Sequence, residues 1–292
     1  APSICRRPRT SWWPVFRPLA LSLSTAQVFD GIASLLDRSL LHRETGLHGE
    51  PRYAMLETVR EYGLERLAQS GEGPALRLQH ASCYMRLVEN AEEMASELTL
   101  ILIDNDIHNL RAACDWAMEH DIQTALSLTA ALLDWQSSRG PYEEGRQLLD
   151  KILALPTASA HTIPRAKVLY EAGMLMHFSD EPGKAQALEE ESLVLSRELG
   201  YGKGEADALL ALGRIASQAW GDQETAGRCL DNALAMYRDL DDSSGIVRTL
   251  VLLAEIALAR ADFAPARALC EECLTVARQA GLSFPWPLSI LG

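Results

Sequence analysis

Aromatic residues are scarce in this 292-residue chain, at 6%, and Val, Ile and Thr are outnumbered by Ala and Leu. That shortage disfavours a β-rich fold and favours helices. The cysteines, Cys5, Cys83, Cys114, Cys229, Cys270 and Cys273, are scattered and follow no secreted disulfide pattern, so a reducing, cytoplasmic setting is expected. No apolar run approaches the ~18 residues of a membrane span. The longest candidate, Thr249 to Ala259, is interrupted by Glu255. Basic charge is also short, with 27 Lys+Arg against 40 Asp+Glu and a net charge of -13. Such a balance repels nucleic acid and anionic lipid over most of the surface. Neither direct nucleic-acid binding nor membrane attachment is therefore expected.

Residues 1–29 differ from the rest. They hold Arg6, Arg7, Arg9 and Arg17 with no acid, and Pro2, Pro8, Pro14 and Pro18. The remaining residues carry 23 basic against 40 acidic groups, a net charge of -17. Proline at this density prevents helix until at least Leu19, and Trp12, Trp13 and Phe16 show no periodicity. An irregular basic leader is the expectation for 1–29. A chain that starts at Ala1 is expected to be an excised piece of a longer one.

From residue 30 the pattern becomes regular. Gly31 to Leu41 has Ile32, Leu35, Leu36 and Leu40 on one helical side. Leu41-His42-Arg43 and Arg52-Tyr53-Ala54-Met55 then flank a polar turn, which predicts a two-stranded β-wing. Glu57 to Ala68 returns to helical spacing and ends at Gly71 and Gly73. Residues 30–73 thus fit a partial winged-helix unit. Residues 74–156 carry only helical signals, with Ala75–Leu98 and Ile107–His120 amphipathic, Asp121 opening a helix, and Tyr142–Leu155 closed by Pro156. This block is expected to be a helical linker and a degenerate repeat.

Residues 157–292 repeat. Gly173, Gly213 and Ala254 are 40 and 41 residues apart, and each is followed by a second small residue, Ala185, Ala226 or Ala266. Downstream of these alanines, Leu193, Leu234 and Leu274 align, as do Arg197, Arg238 and Arg278. Ser192, Ala233 and Cys273 share a small-residue slot, and the second copy has one inserted residue near Trp220-Gly221. Two antiparallel helices per copy, each with a small residue where its partner passes closely, explain the pattern. No single pair can bury both its faces, so the copies must stack. The small-residue signature resembles a tetratricopeptide repeat in a longer variant than the usual ~34 residues. The expected fold is all-α, a tetratricopeptide-like helical-hairpin solenoid preceded by a partial winged helix. Pro285 to Gly292 enters a further repeat without completing it, which predicts an exposed apolar end able to self-associate.

The order of segments carries a wider resemblance. Leu35-Leu36-Asp37-Arg38-Ser39-Leu40-Leu41 is followed by Pro51 to Tyr62 (PRYAMLETVREY), Asp106 to Ala113 (DIHNLRAA) and the repeats. Together these resemble the C-terminal part of large bacterial transcriptional regulators of the LuxR-like and AfsR-like kind. The resemblance implies an upstream NB-ARC (STAND) NTP-binding module, a winged helix packed on it as a regulatory element, and a tetratricopeptide sensor. The module itself is not here, since no G-x-x-x-x-G-K-[ST] occurs and Gly183-Lys184 and Gly202-Lys203 lie between repeat helices.

Chemistry-bearing patterns are weak. Cys270-Glu-Glu-Cys273 sits in a repeat helix without a second ligand pair, and the seven histidines show no paired spacing. Glu189-Glu190-Glu191 is expected to be a solvated face. No enzyme activity, metal or cofactor is expected. The stronger candidate is the concave face made by the first helix of each repeat. Taking Gly173, Gly213 and Ala254 as the anchors of the three copies, the positions three before, one after and four after each are Tyr170, Met174 and His177; Leu210, Arg214 and Ser217; and Val251, Glu255 and Leu258. The expected role is a sensor that binds a protein, a peptide or a small effector there, with a free-standing scaffold as the alternative.

Overall fold

The structure is a computed structural model that describes residues 24–45, 51–92, 96–140 and 142–282. Most of the expected leader, the wing turn and the incomplete last repeat lie outside the described residues.

Helix α1 (Thr25–Asp37) opens on a capping box in which the Ser24 hydroxyl and the Gln27 side chain reciprocally bond each other's backbone N–H. Residues 24–29 therefore belong to this helix, which corrects the leader boundary at 29. The hydrophilic signal of the preceding prolines and arginines concealed a cap only a few residues upstream of Gly31. Strands β1 (His42–Thr45) and β2 (Pro51–Ala54) pair antiparallel with Arg43 opposite Tyr53, and α2 (Glu57–Ser70) ends on Gly71 in the left-handed region. This unit has little core of its own: α2 buries no residue, and Tyr53, Leu56, Tyr62 and Leu64 are exposed.

Ten further α-helices follow among the described residues, as five hairpins. Helices α3 (Gly73–Glu92) and α4 (Ser96–His120) pack together, then α5 (Ile122–Arg139) with α6 (Tyr142–Leu153), and a short 3₁₀ turn at Pro156–Ser159 leads to the repeats. These are α7 (Ile163–Phe178) with α8 (Pro182–Glu198), α9 (Gly202–Gln218) with α10 (Gln223–Asp239), and α11 (Ser243–Ala259) with α12 (Phe263–Ala280). The all-α solenoid and the small β-wing match the sequence expectation. Helix α4 is interrupted at Asp106, whose backbone is non-helical (φ -122°, ψ 17°), one residue before the helix start read at Ile107.

The repeat turns share one device. Between the two helices of a copy stand Asp180, Gly221 and Ala261, and between copies stand Gly200, Asp241 and Gly281, all with φ between 54° and 67°. Each is followed by a backbone N–H that reaches back to the helix: Glu181 to Met176, Tyr201 to Ser196, Asp222 to Ala216, Asp242 to Tyr237, Asp262 to Ala257 and Leu282 to Ala277. These bonds satisfy the last free carbonyls of each helix and reverse the chain in a few residues.

The anchors behave as close-approach positions. A Cβ on Gly213 would lie 2.7 Å from Leu230 Cγ, and one on Gly173 would lie 2.7 Å from the Glu189 carboxyl carbon. Ala185, Ala226 and Ala266 are buried on the facing helices. The small-residue slot of the second helix also binds the first: Ser192 Oγ donates to the Ala166 carbonyl at 2.9 Å, and Cys273 Sγ reaches the equivalent Val247 carbonyl at 3.8 Å.

Candidate functional site on the concave face

First helices of successive copies touch directly, α7 with α9 and α9 with α11. This places their shared face on the inner side of the stack. One bond shows how tightly it curves: Arg248 Nη1 of α11 donates to the Tyr170 hydroxyl of α7 at 3.3 Å, across the helix between them.

Beneath that bridge lies a connected polar network. Arg248 Nη2 donates to Asp207 Oδ1 at 3.0 Å, and the buried Tyr237 hydroxyl donates to the same oxygen at 2.6 Å. Lys203 pairs with Asp207 Oδ2 at 3.5 Å and with Asp242 Oδ2 at 2.7 Å. The guanidinium of Arg248 and the ammonium of Lys203 also stand 5.9 and 5.7 Å from the Tyr237 ring centroid. Burial works against the charge on Arg248, but the Tyr170, Tyr237 and Asp207 groups around it outweigh that and hold it firmly protonated. Burial pushes both tyrosine hydroxyls well above the ordinary phenol range, with Asp207 adding to the shift, so they act as neutral donors or acceptors.

Asp207 and Arg248 occupy the position six before the anchor, with Lys167 as the third member. That row was missed by the choice of positions three before, one after and four after. It lies one heptad before Met174, Arg214 and Glu255, so it continues their stripe along each helix. An alternation of charge at one repeat position, Lys, Asp, Arg, was the signal available for it.

Eight of the nine expected residues, Tyr170, Met174, His177, Arg214, Ser217, Val251, Glu255 and Leu258, are partly exposed. Leu210 is not: it is 1% exposed and packs with Leu230, Tyr237 and Leu252. Its side chain turns into the layer between α9, α10 and α11, which corrects its assignment to the binding face. Val251 is half-buried against the core around Val247 and Leu250. His177 faces Gln218 Oε1 at 3.2 Å, and burial lowers its pKa.

Glu189 also departs from expectation. Glu190 and Glu191 are solvated, but Glu189 is fully buried and both its carboxyl oxygens lack a hydrogen-bond partner. Burial, reinforced by Glu171 and Asp207, pushes its pKa well above the ordinary carboxyl range. Consecutive helix positions face different ways, and the first glutamate of the run points at the gap left by Gly173.

At the other end of the chain, Arg52 of β2 makes a two-pronged pair with Asp106, at 2.6 and 3.4 Å. Tyr84 and Asn109 donate to the same carboxylate at 3.3 and 3.0 Å. The wing is thereby tied to the kink in α4.

Comparison with known proteins now adds to this geometry. Residues 18–68 match the winged helix-turn-helix domain family. Over 273 residues, 90% of this chain, the sequence is 29% identical to proteins named as HTH-type transcriptional regulators, Mb0914c of Mycobacterium bovis and Rv0890c of Mycobacterium tuberculosis. The chain spans 30% of the length of these relatives. Its fold is similar to the crystal structure of a Signal Transduction ATPase with Numerous Domains (STAND) protein with a tetratricopeptide repeat sensor, PH0952 from Pyrococcus horikoshii. The TM-score is 0.51 at 16% identity, covering 85% of this chain and 46% of that one. Winged helices are a shape that reads DNA, so the expectation of no direct nucleic-acid contact gains no support from the match. Among the described residues no helix is long and apolar enough to cross a membrane.

Proposed function

We propose that this chain is the sensor region of a cytoplasmic, signal-responsive bacterial transcriptional regulator of the LuxR-like or AfsR-like kind, and that it performs no catalysis. The repeats bind an effector or protein partner on the concave face of α7, α9 and α11. The winged-helix unit passes the bound state to an NTP-binding module elsewhere in the full-length protein. The observation that carries the reading is the inner-face network, in which Tyr170, Asp207 and Arg248 from three successive copies are joined. A ligand that contacts this face touches three copies at once and can change their stacking.

The mechanism is a shift between two arrangements of the stack, driven by the ligand's differential affinity for them. Helix α2 mixes Glu57, Glu61 and Glu65 with Arg60 and Arg66, a composition that favours a protein neighbour over the phosphate backbone. A mobility-shift titration with duplex DNA checks that choice, and tight DNA binding by this chain would reverse it.

Hydrogen–deuterium exchange with and without a small-molecule extract of bacterial cells tests the sensor reading. Protection concentrated on residues 163–178, 202–218 and 243–259 supports it. Protection confined to α8, α10 and α12, or none at all, contradicts it.

A further inference from the structure

Most cations of the concave face are already engaged: Arg248 by Asp207 and Tyr170, and Lys203 by Asp207 and Asp242. Arg214, at the centre of the face on α9, is not. Its Nε is buried without a hydrogen-bond partner, and no ion pair among the described residues engages its guanidinium. Glu255 on α11 is close enough to favour its charge, as are Tyr170 and Glu189, but burial dominates and lowers its pKa. Glu189 makes no hydrogen bond to it: both carboxyl oxygens of Glu189 are buried without a partner, and burial raises its pKa.

A desolvated guanidinium with no carboxylate bonded to it is costly to keep in a folded protein. Its planar fork is the geometry that receives an oxyanion. We propose that Arg214 is the recognition residue of the concave face and that the effector is a small monocarboxylate with an apolar body. This inference rests on the concave-face reading and names the chemistry of its ligand. Met174 and Leu258, on the flanking helices in the same and adjacent rows, are partly exposed and offer apolar surface for that body. One negative charge is favoured over many, because the chain as a whole carries a net charge of -13.

Hexanoate, 1-hexanol and hexylamine, at matched ionic strength, are the probes, and thermal denaturation and hydrogen exchange of α9 are the readouts. Hexanoate should raise Tm saturably and protect α9, whereas hexanol and hexylamine should do neither. Arg214→Gln should abolish the hexanoate effect and Arg214→Lys should retain part of it. Without ligand, Arg214→Gln should leave Tm unchanged or raised, since an unpaired buried charge has been removed. A hexanoate response that is absent, or equal in Arg214→Gln, overturns the proposal, as does a response to hexylamine. A fall of many degrees in the Tm of both variants overturns it too, by making Arg214 structural. If cell extract still protects the concave helices in Arg214→Gln, the sensor reading stands and the carboxylate inference alone fails.

Discussion

Arg52 and Asp106, 54 residues apart, are joined by a two-pronged ion pair with a shortest distance of 2.6 Å. Each lies in one of the two segments that carry the resemblance to bacterial regulators, PRYAMLETVREY and DIHNLRAA. The pair binds the wing to the point where α4 departs from helical geometry. Asp106 also receives Tyr84 and Asn109, so the carboxylate organises the first hairpin as well as the wing.

Arg52→Ala should therefore loosen the wing without melting the array. The pair is about a quarter to a third exposed, so the expected loss is about 1 kcal/mol, felt locally. Amide exchange in β1 and β2 should accelerate while the cooperative transition of α7 to α12 is unchanged. Equal acceleration throughout the repeats would show that the wing is part of their folding unit.

Glu189 gives stability a pH dependence of unusual sign. Its folded pKa lies well above the ordinary 4.5, because of burial and then of Glu171 and Asp207. The stability associated with its protonated form is fully present below 4.5 and is lost as pH rises through the raised value. Glu189→Gln should flatten that decline and stabilise the protein at its upper end by roughly 1–3 kcal/mol. Urea unfolding across a pH series measures it, and a variant curve parallel to the native one would place the dependence elsewhere.

Gly245 lies against the buried ring of Tyr237, and a Cβ there would overlap it. Gly245→Ala should destabilise by about 1–3 kcal/mol through overpacking and weaken the Tyr237–Asp207 bond on which the concave network rests. Gly227→Ala, where a Cβ meets nothing within 4 Å, is the control, and equal Tm changes in the two would contradict the packing account.

Ala261 holds φ at 60° in the turn where the second copy has Gly221. An L-residue with a Cβ is strained there, so Ala261→Gly should raise stability by about 0.5–1 kcal/mol. A lower Tm would mean that the turn adopts another conformation.

Much of the fold was legible because the repeat leaves several independent marks at one period. The anchors, the facing alanines and the closing Leu199-Gly200, Leu240-Asp241 and Ala280-Gly281 all report the same hairpin. The site was less legible. A stripe read from helical spacing does not show which rows turn into the layer between helices, which is why Leu210, packed against α10 and α11, was placed on the face. Glu189 was obscured by its neighbours, since a run of three acids reads as surface unless one of them meets a missing Cβ across the interface. The Tyr170–Arg248 bond joins copies 78 residues apart and depends on the curvature of the stack, which no local pattern encodes.

The central claim is that the face shared by α7, α9 and α11 receives the ligand. Met174 lies on that face, and Met236 lies on α10, a second helix of its repeat. Methyl-detected NMR of the methionine-labelled chain, titrated with cell extract and then with hexanoate, tests the claim most directly. The account predicts that the Met174 methyl shifts saturably while the Met236 methyl stays fixed. A shift at Met236 with Met174 unmoved would contradict it.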